Sequence, residues 1–282
     1  MHRLHLIAML ICFQLQAHHL SYNLQKALNM HLVKASANSL GGYQGFCIEM
    51  SIENLSKDSL FILVEAGRRL IAGNADEQDI LIVKELLVPL SKKEKKLQTI
   101  KGYCCQASKH SPSAQTPYAL NHLADSNLVQ VARHLNKNCF ISEIEQSAIW
   151  AISDKKPIAN IPKQSDSSNL ALRQLLANIK GEKLPWYDLL STTYVSHYGQ
   201  INMIPLQLKG SVKYSNEENG YATLYVYNAK GEQVCAMQGA WLHIGKQIEY
   251  KVDLPIKEMQ KGKYSLVLQT RDREIFKEEF EI

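Results

Sequence analysis

Cysteine is the residue type in this 282-residue chain whose placement most invites chemistry. Cys104 and Cys105 are adjacent, and the thiolate of either is a nucleophile toward a carbonyl carbon. On a strand the two point to opposite faces, so one is packed into a core whatever the other does. His110 and His122 invite a cysteine-hydrolase reading, but no glycine-bounded nucleophile turn is present and no acid partner stands out. The pair His18-His19 and the more distant His31 lack a cysteine or carboxylate at ligand spacing; exposed histidines, no metal and no cofactor are expected. Gly67-Arg68-Arg69 offers two guanidinium forks for a carboxylate or phosphate, and a salt bridge to Glu65 or Glu85 is their expected use.

The compartment decides what those thiols can do. Met-His-Arg, the apolar run Leu4 to Leu15, and Gln16-Ala17 have the order of a secretory signal, with cleavage expected after Ala17. The run is too short to span a bilayer, no later window is free of charge over about 20 residues, and no transmembrane segment is expected. Ile11 before Cys12 is too large for a lipid-attachment site. The mature chain keeps Cys47, Cys104, Cys105, Cys139 and Cys235. In an oxidising compartment at most two disulfides form, and one sulfur is left free, paired between molecules, or committed to other chemistry. With 45% apolar and 21% charged residues the chain is globular, and a net charge of +5 without basic, aromatic-rich segments gives no support for nucleic-acid binding.

The elements that must position these groups are mostly strands. Phe46 to Glu53 alternates and is followed by the turn residues Asn54 to Asp58 and the run Leu60 to Glu65, which predicts a hairpin. Ile80 to Val88 and Leu97 to Cys105, separated by the lysine-rich turn Ser91 to Lys96, add strands to a small sandwich. After the Ser- and Pro-containing loop Ser108 to Pro117, Leu120, Leu123, Leu128, Val131, Ala132 and Leu135 recur at helical spacing. Ser142 with Glu145 three residues on reads as a capping box for a second helix running through Trp150. A third, near Ser167 to Lys180, ends at Gly181. From Pro205 onward six short strands and the turns Asn228 to Gly231 and Met259 to Gly262 predict an Ig-like sandwich. The expected fold is therefore mixed β and α: a β-sandwich with helical hairpins over residues 18–204, then an all-β sandwich over 205–282.

Two segments resemble known families. The strings Ala222-Thr-Leu-Tyr-Val-Tyr-Asn-Ala-Lys-Gly-Glu-Gln-Val234, Tyr250-Lys-Val-Asp-Leu254 and Lys261-Gly-Lys-Tyr-Ser-Leu-Val267 are similar to the C-terminal sandwich of Bacteroidetes secreted proteins and of flagellar-hook cap proteins. That resemblance implies export or attachment, although the end, Phe276-Lys-Glu-Glu-Phe-Glu-Ile282, is more acidic than the usual sorting tail. Tyr103-Cys104, the loop at Ser111-Pro112, and Glu145-Gln146-Ser-Ala-Ile-Trp150 resemble the thioester domains of bacterial surface adhesins. The resemblance implies a Cys104–Gln146 thioester in a pocket walled by Tyr103 and Trp150, with Cys105 as the competing sulfur. In such chemistry a thiolate attacks the carboxamide carbon and expels ammonia, and the resulting acyl group later passes to an amine. On a helix Ile149 and Trp150 fall three and four positions beyond Gln146 and cover one side of it. The expectation is a secreted or cell-surface protein, not a turnover enzyme, whose partner is a protein or glycan surface, held either covalently through the thioester or by a noncovalent surface or export-linked β-sandwich module whose Cys and Gln are structural; its oligomeric state is not legible.

Overall fold

The computed structural model describes residues 20–163, 167–197 and 199–282. The expected signal segment and His18-His19 lie outside the described residues. The N-terminal part runs β1 (Leu20–Asn23), α1 (Leu24–Asn29), β2 (Val33–Ser39), β3 (Gln44–Asn54), β4 (Leu60–Val64), β5 (Arg68–Ala72), β6 (Ile80–Ile82), β7 (Leu86–Leu90), β8 (Lys95–Cys104) and β9 (Pro117–Leu123). Three helices follow, α2 (Ser126–Lys137), α3 (Ser142–Ser153) and α4 (Ser167–Lys180), with a 3-10 turn at Ile158–Asn160. The chain closes with β10 (Tyr187–Val195), β11 (Ile201–Asn216), β12 (Gly220–Asn228), β13 (Gln233–Leu242), β14 (Gly245–Pro255), β15 (Lys263–Thr270) and β16 (Glu274–Glu281). Strands dominate and helices are few. Among the described residues no helix is long and apolar enough to cross a membrane.

The first sheet is a closed barrel in the order β2-β3-β8-β6-β5-β9, where the sequence suggested a sandwich. Closure satisfies both edges of the sheet and leaves its inner face to pack on itself. Beside it lies a three-stranded sheet, β1-β4-β7. The expected hairpin does not form: β3 pairs with β2 and β8, whereas β4 pairs with β1 and β7. Alternation identifies a half-buried strand but not its neighbour. Leu120 and Leu123 belong to β9 rather than to a helix, and the helix begins only after Asp125, whose carboxylate accepts the N–H groups of Asn127 and Leu128.

The three helices lie against the outside of the barrel wall. Alternation along β8 divides its side chains: Cys104 joins the barrel core with Ile48, Ile80 and Ile100, while Tyr103 and Cys105 join the helix-facing core with Leu128, Leu135, Ile149, Leu172 and Leu176. Burying each such Leu or Ile contributes about 1.5–3 kcal/mol. The helix α4 ends as expected at Gly181, which takes φ +67° and lets the Glu182 N–H reach the Ala177 carbonyl.

The second unit is a sandwich of β10-β11-β14 over β13-β12-β15-β16, filled by Leu208, Leu224, Val226, Leu254, Leu266 and Leu268. It begins earlier than residue 205. β10 pairs along its whole length with β11, from Tyr187 opposite Gly210 to Val195 opposite Ile201, and the polar run Ser191-Thr-Thr193 hid that strand from a reading by hydrophobic alternation. Fully buried Arg173 of α4 ties the units together, donating to the carbonyls of Ile161 (3.0 Å), Pro185 and Tyr187 (2.8 Å each) and to the carboxylate of Asp188.

Candidate functional site

The site is the place where α3 crosses the end of β8. Helix α3 starts after Ile141 with no side-chain cap, so Ser142 and Glu145 do not form the expected capping box. Glu145 is instead fully buried, accepting the Tyr103 hydroxyl proton and lying 3.2 Å from Lys84 Nζ. Lys84 also donates to the Leu135 and Asn138 carbonyls at the end of α2. This cluster fixes the rotation of α3 about its axis, and with it the direction of the next side chain. At the other end of α3 the Asp154 carboxylate accepts the Ala107 N–H at 2.9 Å, pinning the loop that leaves β8.

So held, Gln146 enters the protein interior with 1% of its surface exposed. Its Oε1 accepts the backbone N–H of Cys104 at 3.1 Å, and its Nε2 donates to the Cys104 carbonyl at 2.8 Å. The carboxamide therefore straddles the one residue whose thiol the sequence paired with it. The Cys104 N–H is shared, since it also donates to the Tyr43 carbonyl at 3.0 Å. Burial pushes the Cys104 thiol well above its ordinary value, and its neighbours Cys47 and Cys105 push the same way. Cys105, on the other face, is pushed up to about 12 chiefly by burial, with Arg69 opposing. Cys47 is pushed up to about 11 by burial, and its thiol lies 3.5 Å from the Gly102 carbonyl. All five described cysteines are free thiols.

Tyr103 sits one strand position before Cys104 and faces the helices, so it walls the side of Glu145 rather than of the thiol. Burial raises its hydroxyl, and the bond to Glu145 adds to that. Trp150, one helical turn beyond Gln146, is 3% exposed and packs with Ala107 and Ile201. Its ring stacks on Tyr43 with centroids 6.2 Å apart and planes 13° apart. Tyr43 is the residue that sequence reasoning missed. Its signal was the string Gly41-Gly42-Tyr43-Gln44-Gly45, in which all three glycines take φ between +82° and +88°, a left-handed turn that side chains disfavour. That turn sets the Tyr43 carbonyl on Cys104 and its ring on Trp150.

The remaining candidates have structural partners. Arg68 pairs with Glu65 as expected, while Arg69 pairs with Asp79 at 2.6 Å and not with Glu85. Among the described residues no group of three or more His, Cys, Asp or Glu side chains is placed to hold a metal ion.

No protein-family model and no curated protein matches the chain. Among solved structures, the crystal structure of DesR, a β-glucosidase from Streptomyces venezuelae in complex with D-glucose, is aligned at 10% identity over 88% of this chain and 47% of that one. The TM-score is 0.19, a similarity that does not extend to a shared fold.

Proposed function

We propose that this is a secreted or surface-exposed protein in which Cys104 and Gln146 form an internal thioester, held for a single covalent capture of an amine-bearing partner. The observation that carries the reading is the hydrogen bond from the Cys104 N–H to Gln146 Oε1. It polarises the carboxamide carbonyl and supplies a donor where negative charge develops during attack. In the step, the Cys104 sulfur bonds to the Gln146 carboxamide carbon, the C–Nε2 bond breaks, and the thiol proton leaves with the nitrogen as ammonia. An amine then attacks the thioester carbon, its nitrogen replaces sulfur, and the thiol is restored. Full burial of Cys104 supports the reading, because an exposed thioester hydrolyses before it meets a partner. The stacked Tyr43 and Trp150 rings screen the site from water, and partly exposed Tyr43 is the side from which an amine approaches. The C-terminal sandwich serves export or attachment in this reading.

Intact mass tests it. The mature protein should weigh about 17 Da less than its sequence, the mass of the expelled ammonia. Methylamine should add once, on Gln146. Cys104→Ala should abolish the addition, and Cys105→Ala should leave it.

A second reading rests on the same carboxamide. Both of its polar atoms are satisfied by the Cys104 backbone, as in a structural strut, and burial holds the thiol protonated. In that case the protein is a noncovalent surface or export-linked module, its mass equals that of the sequence, and methylamine does not add.

A further inference from the structure

The outer face of the sheet β13-β12-β15-β16 carries a strip of aromatic rings unrelated to the barrel site. Along β12 the inward positions Ala222, Leu224 and Val226 are buried, so Tyr221, Thr223, Tyr225 and Tyr227 point outward. Tyr221 is 68% exposed and stands opposite Trp241 of β13, 53% exposed, with ring centroids 5.7 Å apart and planes 71° apart. Tyr225 and Tyr227 form a second pair, 6.3 Å between centroids. Six residues of strand separate Tyr221 from Tyr227, so the strip is about 20 Å long. On β15, Leu266 and Leu268 face inward and Val267 outward, yet Val267 keeps only 5% exposure directly opposite Tyr225. As a cross-strand pair on one face the two side chains are neighbours, with Lys277 on the other side of Val267.

The charge pattern says what fits there. No residue of β12 or β13 carries a formal charge, although both strands present a face to water. The outward charges of the sheet lie instead on Lys263 of β15 and on β16, where Lys277, Glu279 and Glu281 point outward. Between them and the rings lie uncharged hydrogen-bonding groups: Thr223 opposite Gln269, and Ser265 opposite Tyr227. Exposed aromatic surface of this extent marks a recognition site, and its rings present π faces to C–H groups while hydroxyls and amides bond to oxygens beside them. β13 is bulged twice, between Met237 and Ala240 in its middle and between Gln233 and Cys235 at its start, which protects this edge against strand addition.

We infer that this face binds a neutral glycan chain lying along β12, its sugar rings stacked on Tyr221, Tyr225, Tyr227 and Trp241. On β12 and β13 themselves an anionic polymer finds no counter-charge, the outward Lys263 and Lys277 lying on β15 and β16, and an extended peptide finds no straight edge at β13. The site does not depend on the thioester and stands or falls separately from it.

Affinity electrophoresis of the mature chain through gels containing laminarin, xylan, mannan, amylopectin or hydroxyethylcellulose, with alginate as the anionic control, tests the inference. At least one neutral polymer should retard the protein, and the double variant Tyr221→Ala/Trp241→Ala should weaken that binding at least tenfold. Both side chains are exposed, so circular dichroism should report an unchanged fold. Glu274→Ala, at the far edge of the sheet, should bind as the parent does. Retardation by none of the neutral polymers, by alginate alone, or undiminished in the double variant overturns the inference.

Discussion

Comparing Cys104→Ala with Gln146→Leu in urea unfolding separates a covalent link from a strut by magnitude as well as by chemistry. If the thioester exists, either substitution removes a cross-link between residues 42 apart in sequence. The chain-entropy relation for a closed loop of that length gives about 4 kcal/mol at 25 °C. Cys104→Ala adds roughly 1 kcal/mol for a small buried group, and Gln146→Leu removes the acyl oxygen that accepts the Cys104 N–H, so both variants should lose about 4–6 kcal/mol. Without the bond the two diverge. Cys104→Ala then disturbs neither backbone hydrogen bond and costs only about 1 kcal/mol. Gln146→Leu still removes both, and although the Cys104 N–H retains the Tyr43 carbonyl, the unpaired Cys104 C=O makes the loss about 2–4 kcal/mol. A Cys104→Ala cost near 1 kcal/mol beside an unshifted intact mass refutes the covalent reading.

Acid titration of stability should expose Asp79. Burial alone would raise its carboxyl, but Gln106, the Ala72 N–H and Arg69 donate to it and hold it below the ordinary value. Its contribution is therefore complete well above the unfolded value of about 3.9 and is lost as pH falls toward the lower folded one. Asp79→Asn should flatten that acid limb; an unchanged limb would refute the assignment. Gly102→Ala should destabilise by about 1–3 kcal/mol in chemical denaturation, because the new Cβ would lie 2.3 Å from Ile80 Cγ2 inside the closed barrel. Arg173→Met should cost about 3–5 kcal/mol, since it strands the Asp188 carboxylate and frees three carbonyls. Limited proteolysis of that variant should cut between α4 and β10 sooner than in the parent.

Hydrophobic period was enough to read the strand-rich composition, α4 with its Gly181 ending, and the six strands after residue 205. It failed where a partner lay far along the chain. The alternation of Phe46 to Glu53 is satisfied equally by a hairpin with Leu60 to Glu65 and by the pairing with β2 and β8 that forms. Tyr118 and Leu120 alternate along β9, but the leucines around them also fall at helical intervals, and Asp125 is what decides where the helix starts. Glu145 matched a capping box by spacing, yet its partners Lys84 and Tyr103 lie 61 and 42 positions upstream, beyond any local rule. The Gln146 amide reaches the Cys104 backbone because α3 packs on β8, a contact between residues too far apart in sequence for spacing to reveal. The role of Tyr43 depended on reading glycines as φ values.

The two adjacent sulfurs lie in different surroundings. A strand turns neighbouring side chains to opposite faces, and here the faces are two different interiors: Cys104 enters the barrel core and Cys105 the helix-packed layer. Gln146 approaches in neither direction. It comes to the backbone, bridging the N–H and the C=O of Cys104. Cys105 is further engaged in a different neighbourhood, beside the Arg69–Asp79 pair, with its own N–H donated to the Asp79 carbonyl at 2.9 Å. In the covalent reading proposed above, these two hydrogen bonds favour Cys104 over Cys105 as the nucleophile, and exchange of Nε2 for sulfur would give up the one from Nε2 to the Cys104 carbonyl while keeping the other on the acyl oxygen.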